Sequence, residues 1–130
     1  MEVRHLIDTN IFLEVLLCQD KSDVCKEFLN QNFQTVYISN FSLHSIGVIL
    51  FRYGKYEAYS RFILDVLSKI ELISLPKNEY DLVSQISNRY NLDFDDAYQT
   101  AIADFSGLQI VTLDNDFKKL AEVYDVFFPA

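Results

Sequence analysis

The chain has 130 residues, enough for one domain over 1–130 and little more. Half of it is hydrophobic, with eight Tyr and eleven Phe against three Gly and two Pro, so a sizeable core is expected and long irregular stretches are not. A formal charge of −8 argues against a protein that grips nucleic acid by bulk electrostatics, and no apolar run approaches the roughly 20 residues that span a bilayer.

In chain order, Met1–His5 leads straight into an apolar run, Val3–Ile7, that reads as a buried strand ending at Asp8. No signal peptide is expected there, which favours a cytoplasmic location. Asn10–Leu17 is helical, with Phe12, Leu13, Leu16 and Leu17 as its core stripe. Ser22–Asn30 has the polar start of a helix, with Val24, Phe28 and Leu29 on one side. Cys18 and Cys25 lie in these two segments and are expected as reduced, half-buried thiols. Cys-x-x-Cys and Cys/His metal spacings are absent, so a structural zinc site is not expected.

Thr35–Ile38 is β-prone, and Ser39-Asn40 caps an apolar helix running to about Arg52. Gly54 breaks it, and Tyr56–Leu67 is a further amphipathic helix. The run Phe51-Arg52-Tyr53-Gly54-Lys55-Tyr56 mixes aromatic and basic residues as a single-strand nucleic-acid surface would, but it suits a helix–helix junction better. Ile70–Leu75 is a third strand stopped by Pro76; Asn78–Tyr90 is a helix with Tyr80, Val83 and Ile86 inward. Asp95–Phe105 is a helix closed by Ser106-Gly107. Gln109–Thr112, Asn115–Glu122 and Val126–Phe128 read as strand, short helix and strand. Strands alternating with helices indicate an α/β domain, a parallel sheet with helices on both faces.

Three acidic groups stand out: Asp8 in Leu6-Ile7-Asp8-Thr9-Asn10, then Asp93, Asp95 and Asp96, then Asp114 and Asp116 in Thr112-Leu113-Asp114-Asn115-Asp116-Phe117. Each alone is explained by helix capping or by the helix dipole. Asp8 and Asp114, however, follow the carboxyl ends of the first and fourth strands, where such sheets open their functional crevice. If those strands are neighbours, the two side chains share it. Carboxylates brought that close repel unless they are protonated or neutralised, and no His, Lys or Arg adjoins them in sequence. A hard divalent ion such as Mg²⁺ or Mn²⁺ meets the need and suits phosphodiester hydrolysis. A Ser/His/Asp triad has little support, because His5 and His44 lie near no nucleophile elbow.

The first motif, the Asp96-Ala97 pair opening a helix, and Val111–Phe117 together resemble the PIN domain, including the VapC-like toxins, over nearly the whole chain. The resemblance implies a three-layer PIN-like domain with sheet order 3-2-1-4-5. It also implies a metal-dependent endoribonuclease that uses Mg²⁺ or Mn²⁺. Asp8, Asp96 and Asp114 would be both catalytic and metal-binding, with Asp116 a further catalytic member and Asn10 and Thr112 as polar support. Its partners would be an RNA substrate, an antitoxin protein and a second copy of the chain, with no membrane.

One departure is visible. PIN domains usually carry a Glu in the helix after the second strand, and the matching position holds Ser45, with His44 beside it. His44 can ligate a metal or contact a phosphate, although a lone histidine on an apolar helix is more often a core residue. Glu14 is the nearest compensating carboxylate. The departure keeps a second outcome open, a degenerate PIN domain with weak or no nuclease activity that binds RNA or protein.

Overall fold

The computed structural model describes residues 2–130. Five parallel strands form one sheet in the order β3-β2-β1-β4-β5. They are β1 (His5–Ile7), β2 (Val36–Ser39), β3 (Glu71–Ile73), β4 (Gln109–Val111) and β5 (Val126–Phe127). The first and fourth strands are neighbours, with Leu6 opposite Ile110 and Ile7 opposite Val111.

Because side chains alternate along a strand, adjacent residues feed two cores. Leu6 and Ile110 pack with α5 (Asp81–Tyr90) and α6 (Phe94–Ser106). Ile7, Val111, Val36 and Ile38 pack on the other face. That face is covered by α1 (Thr9–Leu16), α2 (Ser22–Asn32), α3 (Asn40–Arg52) and α4 (Tyr56–Asp65). The central strands are therefore apolar on both sides, as expected of a parallel sheet sandwiched between helices.

Helix starts follow local chemistry. Asp8 caps α1, accepting from Thr9 N at 2.8 Å, and Ser39 caps α3, accepting from Ser42 N at 3.0 Å. Gly107, at φ +67°, closes α6 in the left-handed conformation that its missing Cβ permits.

Several expected elements are shorter or different. Strand β3 covers Glu71–Ile73 only, because Leu75 leaves the sheet and gives its N–H to the Tyr98 hydroxyl at 3.1 Å. Pro76 introduces a 3₁₀ turn, Lys77–Glu79, so α5 begins at Asp81. Tyr80 then lies outside the inward stripe and is 44% exposed, while Val83 and Ile86 are buried as expected. Helix α4 stops at Asp65, and the helix after β4 is 3₁₀, Asn115–Leu120. Neither cysteine is half-buried: Cys18 is exposed, Cys25 is in the core, and both are free. The Phe51 ring meets Tyr56 and Tyr59 edge-on, centroids 4.8 and 5.5 Å apart, so the aromatic–basic run is the α3–α4 junction. Among the described residues no helix is long and apolar enough to cross a membrane.

Candidate active site

Asp8 ends β1 at the carboxyl edge of the sheet and is buried. Both of its carboxylate oxygens are held. Oδ2 accepts from the Thr112 hydroxyl at 2.8 Å, while Oδ1 accepts from Thr9 N and, at 3.4 Å, from Gln99 Nε2. Thr112, fully buried past the end of β4, also accepts from Asp114 N at 3.0 Å and from Asn10 Nδ2 at 3.4 Å. Asn10 in turn accepts from Leu113 N. Asn10 and Thr112 thus tie the start of α1 to the turn after β4.

Asp114 caps the 3₁₀ helix, accepting from Asp116 N at 2.9 Å, and this bond turns the Asp116 backbone back towards it. Asp96 enters from the first turn of α6. One carboxylate oxygen from each of Asp96, Asp114 and Asp116 lies within 4.8 Å of the others. The trio that meets most closely therefore contains Asp116, with Asp8 beside it in its own hydrogen-bonded seat.

The electrostatics follow from this crowding. Burial pushes the Asp96 carboxyl up to about 7, and Asp95, Asp114, Asp8 and Asp116 push in the same direction. Burial also raises the Asp8 carboxyl, with help from Asp114 and against the bonds from Thr112, Thr9 and Gln99.

Two contributors went unnoticed in the sequence. Gln99, one turn after Asp96 on the same helix face, is 1% exposed and donates to Ser42 Oγ at 2.7 Å. Ser42 also accepts from the Thr9 hydroxyl at 2.8 Å, so α1, α3 and α6 meet at one hydroxyl. The Gln99 Oε1 atom is buried without a hydrogen-bond partner. The available signal was a long amide in a helix stretch otherwise made of Ala, Thr, Ile and Tyr.

The sequence profile of the PIN domain matches residues 5–123. The chain belongs to the PIN domain family. This PIN domain superposes on a toxin–antitoxin complex from Klebsiella pneumoniae with a TM-score of 0.79 at 22% identity, covering 97% of this chain and 98% of that one. VapBC2 from Rickettsia felis, bound to a DNA fragment from its promoter, gives 0.81 at 15% identity, covering 98% and 100%. Mycobacterium tuberculosis VapC20, a toxin that cleaves the sarcin–ricin loop, gives 0.76 at 17% identity, covering 92% and 95%. At such identities the likeness is one of fold. No curated protein matches the chain.

The remaining expected positions of this PIN domain are less central. His44 is exposed on α3, which rules out the buried core role that a lone histidine usually has. Ser45 is half-buried one turn beyond Ser42. Glu14 is drawn away from the carboxylates, accepting from Lys21 N at 3.3 Å on an exposed surface.

A pH dependence of stability follows in the metal-free protein. Unfolding returns Asp96 to its ordinary value near 3.8, so the folded state binds the proton more tightly than the unfolded one. The penalty for ionising it is absent below about 3.8, grows as pH rises, and is complete above about 7. Asp8 acts in the same direction, while His5, lowered by burial, opposes it on the acid side of 6.5. The thermal midpoint in EDTA should therefore be several degrees higher at pH 5 than at pH 8. A midpoint that is flat or rises with pH would contradict the crowding.

Proposed function

We propose that this PIN domain is a metal-dependent endoribonuclease hydrolysing RNA phosphodiester bonds, the toxin of a toxin–antitoxin pair. The observation that carries the reading is the meeting of Asp96, Asp114 and Asp116, one carboxylate oxygen of each within 4.8 Å of the others. The donor set fits a hard divalent ion, Mg²⁺ or Mn²⁺, which prefers carboxylate and other oxygen ligands. Asp96, Asp114 and Asp116 would hold it, with Asp8 alongside and the unpartnered Gln99 Oε1 as a neutral oxygen close to Asp8. When bound, such an ion supplies positive charge that makes water more nucleophilic and offsets charge on the phosphate.

The chain's own groups perform the rest. Thr112, Thr9 and Gln99 fix the Asp8 carboxylate, so it need not reorganise as charge moves during the reaction. The Asp114 carboxylate and the Asp116 backbone are fixed to each other by their hydrogen bond, which limits how far the pair can spread. The decisive assay is cleavage of RNA with Mg²⁺ or Mn²⁺. Cleavage that persists in EDTA, or none with any RNA tried, would end the proposal.

The RNA substrate draws support from VapC20, described as a sarcin–ricin loop cleaving toxin. The antitoxin draws support from the Klebsiella neighbour, itself a toxin–antitoxin complex. A homodimer is consistent with the exposed aromatic rings Phe51, Tyr53 and Tyr56 at the α3–α4 junction. The reading carries a cytoplasmic location with it.

Ser45 favours a second reading, a degenerate PIN domain that binds RNA or protein with little cleavage. Calorimetric titration with Mn²⁺ separates the two, since an inert module lacks a site that depends on Asp8 and Asp114. If Ser45 stands where a ligand is missing, Ser45→Glu should tighten Mn²⁺ binding by about tenfold and speed cleavage. Unchanged affinity would show that position 45 has no part in the site.

A further inference from the structure

At the same carboxyl end of the sheet as the carboxylates lies a cleft of about 420 Å³, lined by Asn40, Phe41, His44, Tyr80, Phe94 and Tyr98. It sits on the β2–β3 side of α6, because Asn40 and Phe41 follow β2 and Tyr80 follows β3. Its floor is rigid. Tyr98, only 3% exposed, accepts from Leu75 N and from the Tyr80 hydroxyl and donates to Asn40 Oδ1 at 2.8 Å. Over this floor Phe94 lies nearly parallel to Tyr98, ring planes 16° apart and centroids 6.1 Å apart.

Phe94 is the informative residue. It opens α6 and is 60% exposed, so burial of its ring in the core does not explain it. Phe94 and Tyr98 are one turn apart on one side of the helix, while Asp96 and Gln99 occupy the side facing Asp8. Phe94 and Asp96 are two residues apart in the first turn of α6 and project to different sides of it, so a base and its neighbouring phosphate would straddle that turn. Hydrogen-bonding groups of Asn40, His44 and Tyr80 edge the cleft, and neither Lys nor Arg lines it. A flat, neutral ligand with polar edges matches these walls better than a phosphate or a charged peptide side chain does.

We propose that this cleft is a nucleobase subsite in which Phe94 stacks on an unpaired base of the RNA whose backbone lies at the carboxylates. The inference rests on the nuclease reading and extends it, restricting the substrate to single-stranded segments or loops. Bases held in a duplex have no free face to offer, whereas a splayed base can stack on an aromatic ring and present its edge to polar groups.

The test measures binding separately from cleavage. The full chain carrying Asp114→Asn and Asp116→Asn, in EDTA, is titrated with six-nucleotide single-stranded RNAs bearing 2-aminopurine at successive positions. One position should show quenching on binding. Adding Phe94→Ala should abolish that quenching and weaken binding about five- to a hundredfold, whereas Phe94→Trp should retain both. The same RNA annealed to its complement should bind at least about tenfold more weakly. Equal binding by the Phe94→Ala protein, no quenching at any position, or no preference for the single strand would overturn the subsite and leave the cleft to a protein segment. Cleavage without dependence on Phe94 refutes the subsite and spares the nuclease; binding that depends on Phe94 without any cleavage does the reverse.

Discussion

Replacing Asp96 by Asn should lower metal-dependent RNA cleavage by more than about a hundredfold while making the metal-free protein more stable at pH 8. The two effects share one cause. Asp96 is 8% exposed, and four other carboxylates raise its pKa together with burial. An amide of nearly the same shape keeps the packing and removes a charge that the folded state tolerates poorly without a cation. Its thermal midpoint in EDTA should rise by several degrees at pH 8 and by clearly less at pH 5, where the ionisation penalty is only partly developed, so that the pH profile flattens. In saturating Mn²⁺ the order should reverse, because only the parent chain gains binding energy from the ion. Retained cleavage would remove Asp96 from the chemistry, and a lower midpoint at pH 8 would show that repulsion does not dominate there.

Thr112→Val should cost about 2–4 kcal/mol of stability at neutral pH, read as a lower urea midpoint at unchanged slope. Valine matches the threonine in shape, so almost no packing changes. What is lost is the hydroxyl that donates to Asp8 Oδ2 and accepts from Asp114 N and Asn10 Nδ2. Its removal strips a buried carboxylate of its shortest side-chain hydrogen bond and leaves a backbone N–H without its acceptor. The cost should shrink in acid, where Asp8 can take up a proton, and Thr112→Ser should restore most of the loss. Parent-like stability in the valine protein would mean that the Asp8 seat does not depend on this hydroxyl.

The sheet was legible because apolar runs ending in Asp or Ser mark strands that run into helix caps, as at Asp8 and Ser39. The adjacency of β1 and β4 came from family resemblance, since no local pattern encodes which parallel strands pair. Boundaries failed where tertiary contacts overrode local preference. Leu75 left the expected third strand for the Tyr98 hydroxyl, and Tyr80 joined that same cluster instead of the α5 stripe. In the site, the acidic residues were visible as carboxylates after strands or at helix starts. The amide that holds Asp8 was not, because Gln99 resembles any polar residue in a helix until packing buries it. The nearness of Asp116 to Asp96 depends on the 3₁₀ turn after β4, whose sequence fitted an ordinary short helix equally well.

The hydrogen bond between Asp8 and Thr112 joins residues 104 positions apart. During synthesis, the Asp8 strand leaves the ribosome long before its β4 neighbour exists. A nascent chain that has reached only residue 100 has Asp8 and Asp96 but neither Thr112 nor the Asp114–Asp116 turn. The pocket is therefore complete only once the segment carrying Thr112, Asp114 and Asp116 has joined the first strand. Products of stalled or prematurely terminated translation would carry most of the fold's residues and none of its assembled carboxylate trio.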